Sequence, residues 1–182
     1  MDKGLIPRRY AKALYQVGLE RKDNETLYGL MQTLAASFAA EPALARTLAN
    51  PFVAVSDKTS LLVSAACGDS AAAGITFADF LKLLVENGRL DIAWDIARAF
   101  IDLYRERHSI YRVVITSAAT LGNEERRRLE ALVAGHIGQG TIEYDYKVDP
   151  SLIGGFNVAV NSQLLDASVA SRLQQLRQHL VF

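Results

Sequence analysis

The hydrophobic residues of this 182-residue chain change period once, near residue 108. Up to about His108 they recur at intervals of three and four, the spacing of one helix face. From Ser109 onward, alternating stretches appear between helical ones. The two periods bury their apolar residues in different ways, so the change predicts two domains, residues 1–108 and 109–182, in an α+β fold that is mainly α. Charge does not mark the junction, since the basic and acidic residues balance at 13 and 13 before residue 108 and at 7 and 7 after it.

In the first domain, Tyr10, Leu14 and Val17 behind Pro7 predict a helix over residues 5–21. Asn24 is the expected N-cap of a second helix, whose Leu27, Leu30, Met31, Leu34 and Phe38 form the clearest amphipathic stripe in the chain. Pro42 opens a short third helix that Pro51 prevents from continuing, and Ser56 is the expected cap of a fourth that Gly68 ends. Phe77, Phe80, Leu81 and Leu84 mark a fifth, stopped at Asn87 and Gly88. A sixth runs from Leu90 to about His108, polar only along Asp91, Asp95, Arg98, Asp102 and Arg105. So narrow a polar line implies cover on most sides, and hence a central position in a six-helix bundle.

Beyond the junction, IYRVVITS (110–117) is rich in β-branched residues and reads as a strand. Asn123 is the expected N-cap of a helix carrying Leu129, Leu132, Val133, His136 and Ile137 on its apolar stripe. TIEYDYKV alternates strictly, with Ile142, Tyr144, Tyr146 and Val148 on one face. Phe156, Val158 and Val160 make a third strand, expected to pair with TIEYDYKV as a hairpin. A last helix carries Val169, Leu173, Leu176 and Leu180 behind Asp166 or Ser168. The order strand, helix, strand, strand, helix predicts a small two-layer α/β domain.

Little here points to chemistry. Lys and Arg number 20, as do Asp and Glu, so the phosphate affinity that excess positive charge supplies is missing overall. The single cysteine, Cys67, excludes an internal disulfide and a cysteine-based zinc site, and reads as a packed small side chain. His108, His136 and His179 are scattered, with no metal-ligand spacing, so no metal and no cofactor are expected. Asp91, Asp95 and Asp102 share a helix face with Arg98 and Arg105 interleaved, as surface partners would be. SLIGGF lacks the Lys-Ser or Lys-Thr ending of a P-loop. Charges interrupt every apolar run before the roughly 20 residues of a membrane span, and the start MDKGLIPRRYAKAL lacks the apolar core of a secretory signal. The N-terminal segment is locally basic, with Lys3, Arg8, Arg9, Lys12, Arg21 and Lys22 against Asp2 and Glu20. A helix bundle joined to a small α/β domain, without a catalytic constellation, points to a protein that works by holding others.

Three regions sharpen that reading. RRYAKAL (Arg8 to Leu14), ENGRL (Glu86 to Leu90), and DPSLIGGF (Asp149 to Phe156) followed by LDASVASRLQQL (Leu165 to Leu176) resemble, in order and spacing, the motifs of the delta subunit family of F-type ATP synthases. The mitochondrial counterpart of that family is the oligomycin-sensitivity-conferring protein. Ala167, Asn161 and Ser162 stand where the family commonly has glycine. The resemblance implies a non-catalytic stator subunit without cofactor, at the cytoplasmic face of the bacterial plasma membrane and attached there only through the complex. Domain 1–108 would bind the catalytic head, through a groove between its first and fifth helices that takes the N-terminal helices of alpha subunits. Domain 109–182 would bind the b subunits of the peripheral stalk. Proton flow then remains coupled to ATP synthesis, because the head cannot turn with the rotor. Carried over onto this chain, the groove candidates are Tyr10, Ala11, Ala13, Leu14, Phe80, Leu84 and Asn87, although helical spacing explains Leu14, Phe80 and Leu84 equally well as core. Gly88, Asp149, Gly154, Gly155, Asp166 and Ser168 are implied as structural motif positions. A ligand-sensing DNA-binding regulator is the first rival, but the basic residues lie before or at the ends of helix one and not on a recognition helix. A small enzyme with its site in the second domain is the other.

Overall fold

The structure, a computed structural model, describes residues 4–68, 74–152, 155–160 and 163–168. Contacts divide the chain into two compact units, Met1–Tyr104 and Arg105–Phe182.

Among the described residues, the first unit is helical throughout: α1 (Leu5–Arg21), α2 (Asn24–Ala40), α3 (Ala43–Ala49), α4 (Val55–Cys67), α5 (Ile75–Glu86) and, after a 3-10 turn at Leu90–Ile92, α6 (Ala93–Arg107), whose last residues belong to the second unit. The predicted stripe of α2 is the buried one, with Leu27, Met31, Leu34 and Phe38 inside. Phe77, Leu81 and Leu84 of α5 are fully enclosed, as are Ile96, Ala97 and Phe100 of α6. Where α1, α2 and α6 meet, the aromatic rings of Tyr15, Phe100 and Tyr104 crowd together. Tyr28 stacks on Tyr104 with ring centres 4.2 Å apart. The turn between α1 and α2 depends on Gly18: Asn24 packs on its bare Cα and donates a hydrogen bond from Nδ2 to the Tyr15 carbonyl at 3.2 Å.

Three expected caps lie inside their helices instead. Asn24, Ser56 and Asn123 follow the cap positions Asp23, Ala54 and Gly122. Asn24 is drawn inward by its bond to Tyr15, and at α7 (Asn123–Ile137) the cap interaction comes from Glu125, whose carboxylate accepts the Gly122 amide hydrogen at 2.8 Å. Sequence alone does not separate a cap from its neighbour when the bonding group sits elsewhere.

The second unit is built on a mixed four-stranded sheet of order β2-β1-β3-β4. β1 (Ile110–Ser117) leads through α7 to β2 (Thr141–Val148), which pairs with it in parallel as Val113↔Tyr144 and Ile115↔Tyr146. β3 (Gly155–Val160) returns along the other edge of β1, antiparallel, as Ile115↔Val158. The expected hairpin between β2 and β3 is therefore not formed, because β1 lies between them. A parallel crossover leaves β1 with a free edge, and β1 runs through the core, with Val113 and Ile115 fully buried. β3 instead makes its hairpin with β4 (Gln163–Ser168), in the register Val160↔Gln163, across a connection of two residues, the length hairpins favour. Asp166 lies inside β4, opposite Asn157, and so does not cap a helix, while Ser168 is the last residue of β4, opposite Gly155. The expected last helix falls at residues 169–182, outside the described residues, as does Gly154.

Leu129 and Val133 of α7 pack on Val113, Ile115 and Val158, with Ile142, Tyr144, Tyr146, Phe156 and Val160 around them. The predicted inner face of β2 is thus the covered one, except that Val148 at its end is exposed. His136 is exposed and does not join the core, and Leu132 is 70% exposed, because α7 covers the sheet along the narrower line through Leu129, Val133 and Ile137.

Candidate functional site

The two motifs of the helical unit, RRYAKAL and ENGRL, come together in space. α5 ends in a Schellman turn: Gly88 takes φ 61°, its amide donates to the Val85 carbonyl at 3.0 Å, and the Arg89 amide donates to the Leu84 carbonyl at 2.8 Å. This left-handed residue aims Arg89 back at α1, where its guanidinium lies 5.5 Å from the centre of the Tyr10 ring and donates from Nη1 to the Tyr10 hydroxyl at 3.3 Å. RRYAKAL and ENGRL are therefore two halves of one contact. At the other end of the same pair of helices, Arg21 donates from Nη1 to Asp79 Oδ2 at 3.0 Å and to Thr76 Oγ1 at 3.3 Å, while the Thr76 hydroxyl donates to Asp23 at 2.5 Å. The Arg21 hydrogen bond holds the Asp79 carboxyl below the usual carboxylate range.

α1 and α5 are thus antiparallel and joined at both ends. Between the joints, positions four apart fall on one face, so Val17 (four before Arg21) lies opposite Leu83 (four after Asp79), and Ala13 opposite Asn87. All four are exposed, and Ile6 extends the row. Asn87 is fixed by donating from Nδ2 to the Leu83 carbonyl at 2.7 Å. The outcome is a shallow, mostly apolar seam whose backbone is held from both ends.

The seven expected groove residues separate by depth. Ala13 and Asn87 border the seam, and Tyr10 is half-buried at its end under Arg89. Ala11, Leu14, Phe80 and Leu84 are buried in the bundle core beneath it, where they set the distance between the helices. The exposed apolar residues Ile6, Val17 and Leu83 escaped the sequence reading. Their signal was available: each sits beside a core position on an amphipathic helix, where a solvated surface would carry a polar residue.

In the second unit, the DPSLIGGF loop begins with Asp149, whose Oδ1 accepts hydrogen bonds from the Ser151 hydroxyl at 2.6 Å and the Ser151 amide at 2.9 Å. These bonds, the hydroxyl one foremost, hold the Asp149 carboxyl below its usual range. The Asp149 amide donates to the Ser117 carbonyl at 2.9 Å, tying the loop to β1, and Gly155 enters β3 at φ 84°, a conformation that favours glycine. Asp149 and Gly155 are therefore turn-forming residues.

Among the described residues, no group of three or more His, Cys, Asp or Glu side chains is placed to hold a metal ion, and no helix is long and apolar enough to cross a membrane. An open groove of about 500 Å³ between α4 and α5 is lined chiefly by Val55, Val63, Leu81 and Val85, with Lys82 and Glu86 its only charged residues. It brings together no nucleophile, base and orienting group.

Comparison with known proteins bears on the family and the fold. The family model described as ATP synthase delta (OSCP) subunit matches residues 6–180. The chain is 33% identical over 181 residues to the ATP synthase subunit delta of Bacteroides thetaiotaomicron, covering 100% of this chain and 96% of that protein. It is 34% identical over 185 residues to the subunit delta of Parabacteroides distasonis, covering 100% and 98%. Its fold is similar to a chain in the cryo-EM structure of the Toxoplasma gondii mitochondrial ATP synthase hexamer, with a TM-score of 0.75, 22% identity and 97% of each chain covered. The family model over residues 6–180 and the full-length match to these relatives establish that this chain belongs to the ATP synthase delta (OSCP) subunit family.

Proposed function

We propose that this chain is the non-catalytic connector of an ATP synthase stator, holding the catalytic head to the peripheral stalk so that the head does not turn with the rotor. Its task is attachment: torque on the head is resisted only as long as both ends stay bound. In this reading the helical unit, about residues 1–108, binds the head through N-terminal helices of alpha subunits. The α/β unit, about residues 109–182, binds the b subunits of the stalk. The chain joins the membrane-bound complex by these contacts, on the cytoplasmic side in a bacterium, and passes no proton itself.

The observation that carries the reading is the α1–α5 seam. An amphipathic helix needs an apolar trough of fixed width, and Ile6, Val17 and Leu83 supply the apolar surface between joints at Tyr10–Arg89 and Arg21–Asp79. Exposed side chains of this kind contribute little to the isolated fold and much to a docked helix.

The test is calorimetric titration of the full chain with a synthetic N-terminal segment of the alpha subunit from the same organism. Saturable one-to-one binding is expected, and Val17→Asp with Leu83→Asp should weaken it at least about a hundredfold while leaving helicity unchanged, since a buried unpaired carboxylate costs several kcal/mol. Equal binding by that double variant rules out the seam.

A further inference from the structure

The seam is fixed more firmly at one end than at the other. Near Tyr10 a single hydrogen bond from Arg89 joins the turn after α5 to α1, whereas at the opposite end three bonds run through Arg21, Asp23, Thr76 and Asp79. Thr76 is the centre of this clasp. It lies in the first turn of α5 and is 2% exposed, and its hydroxyl accepts a hydrogen bond from Arg21 at the end of α1 and donates one to Asp23 in the turn between α1 and α2. Leu83 follows Thr76 by two helical turns and Val17 precedes Arg21 by one, so the clasp lies on the same faces of α5 and α1 that border the seam.

The members of the clasp are not arranged for the stability of their own helices. Asp23 stands at the N-cap of α2, where a carboxylate ordinarily accepts an amide hydrogen of the first turn, yet it makes no such bond. Its Oδ2 is turned to Thr76, and its Oδ1 is buried with no hydrogen-bond partner among the described residues, so the carboxylate serves that one hydroxyl. The side chains of the Arg21–Asp79 ion pair are 44% and 45% exposed, and a pair so exposed contributes little to the fold. What the four side chains do determine is placement. They hold the last turn of α1 against the first turn of α5, and the separation of those two helices is the width of the seam. Local choices that forgo stability and agree on one geometry mark a functional constraint.

We propose that Thr76 is a positioning residue for docking: through Arg21 and Asp23 it holds α1 and α5 at the separation that admits an amphipathic helix, without touching that helix. The proposal rests on the docking role of the α1–α5 seam. Thr76 is enclosed, so it acts on a docked helix only through the helices it joins. Without its hydroxyl the pair samples other separations, and the fraction of chains whose seam has the right width falls. Affinity falls by that fraction. A seated helix still meets the same side chains, so the loss appears in the association rate and not in the dissociation rate.

The test is stopped-flow association and dissociation of a fluorescently labelled synthetic N-terminal segment of the alpha subunit with the full chain. Thr76→Val is expected to slow association about tenfold, the effect of losing one hydrogen bond to a charged group, and to leave dissociation within about twofold. Thr76→Ser keeps the hydroxyl and should return association to within about twofold of wild type. Arg21→Met, a change at an exposed side chain, should slow association at least about threefold, again with dissociation within about twofold. A substitution that only weakened the fold would lower the melting temperature and leave both rates as they are in wild type. Association within about twofold of wild type in either Thr76→Val or Arg21→Met, with binding still weakened by Val17→Asp with Leu83→Asp, overturns the positioning role and leaves the seam standing. Faster dissociation in either variant does the same, because it marks a direct contact with the docked helix. Should Thr76→Val not fold, the rates of Arg21→Met decide alone. Unchanged binding in the Val17→Asp, Leu83→Asp chain overturns the seam and this proposal together.

Discussion

Gly18 shows how a single position can set the approach of two helices. A Cβ there would stand 2.0 Å from Asn24 Oδ1 and 2.9 Å from Leu27 Cδ1, so any side chain must push Asn24 off the Tyr15 carbonyl. Gly18→Ala, a favourable change in an ordinary helix, is expected instead to destabilise the helical unit by about 1–3 kcal/mol, read from urea unfolding. In the α/β unit, Tyr146 is the sensitive position. Its ring lies 4.9 Å from the Arg126 guanidinium and its hydroxyl donates to Glu130. Burial, then the Glu130 hydrogen bond, push the phenol up to about 12. A folded value above the unfolded one near 10 means that the native state keeps a proton the unfolded chain has lost. The stabilisation is full below pH 10 and falls away as pH rises towards 12. Thermal melting across that window should decline more steeply for wild type than for Tyr146→Phe, and identical slopes would contradict the linkage.

At the scale of elements, α7 offers the sharpest contrast. Leu129 and Leu132 are three residues apart on one helix and look equivalent in the sequence, yet one is buried on the sheet and the other is 70% exposed. Leu129→Ala is expected to cost about 2–5 kcal/mol, and Leu132→Ala less than about 0.5, by equilibrium unfolding of the full chain. The reason such pairs cannot be told apart in advance is physical: periodicity fixes the direction of a helix face, but its width depends on how the partner layer curves beneath it. The same limit explains the strands. Alternation in TIEYDYKV correctly identified Ile142, Tyr144 and Tyr146 as the covered face, while the partner of β3 depended on which edge of β1 the crossover left open. Asp166 resembled a helix start although it lies inside β4, because short polar residues suit both caps and strand ends. At the seam, Tyr10 was singled out through its setting in RRYAKAL, whereas the exposure of Val17 and Leu83 beside core positions depends on how closely α1 and α5 pack, which periodicity does not fix.

For the whole molecule, zero formal charge conceals local asymmetry: cations gather at the start of α1, while along α6 acids and arginines balance. Two units of different architecture in one chain suit a connector, because each carries its own core and can present its own surface. Division of labour between them is expected to be separable: Val17→Asp with Leu83→Asp should weaken attachment to the head while leaving binding of a soluble b-subunit segment within about twofold, read by pull-down. The most direct measurement is sedimentation of the purified catalytic head with the soluble part of the b subunits, with and without this chain. The b segment should travel with the head only when the chain is present, in one stoichiometric complex, and replacement of Val17 and Leu83 by Asp should release the head. Cosedimentation of head and b segment without the chain, or binding of the chain to only one of the two, would contradict its role as their connector.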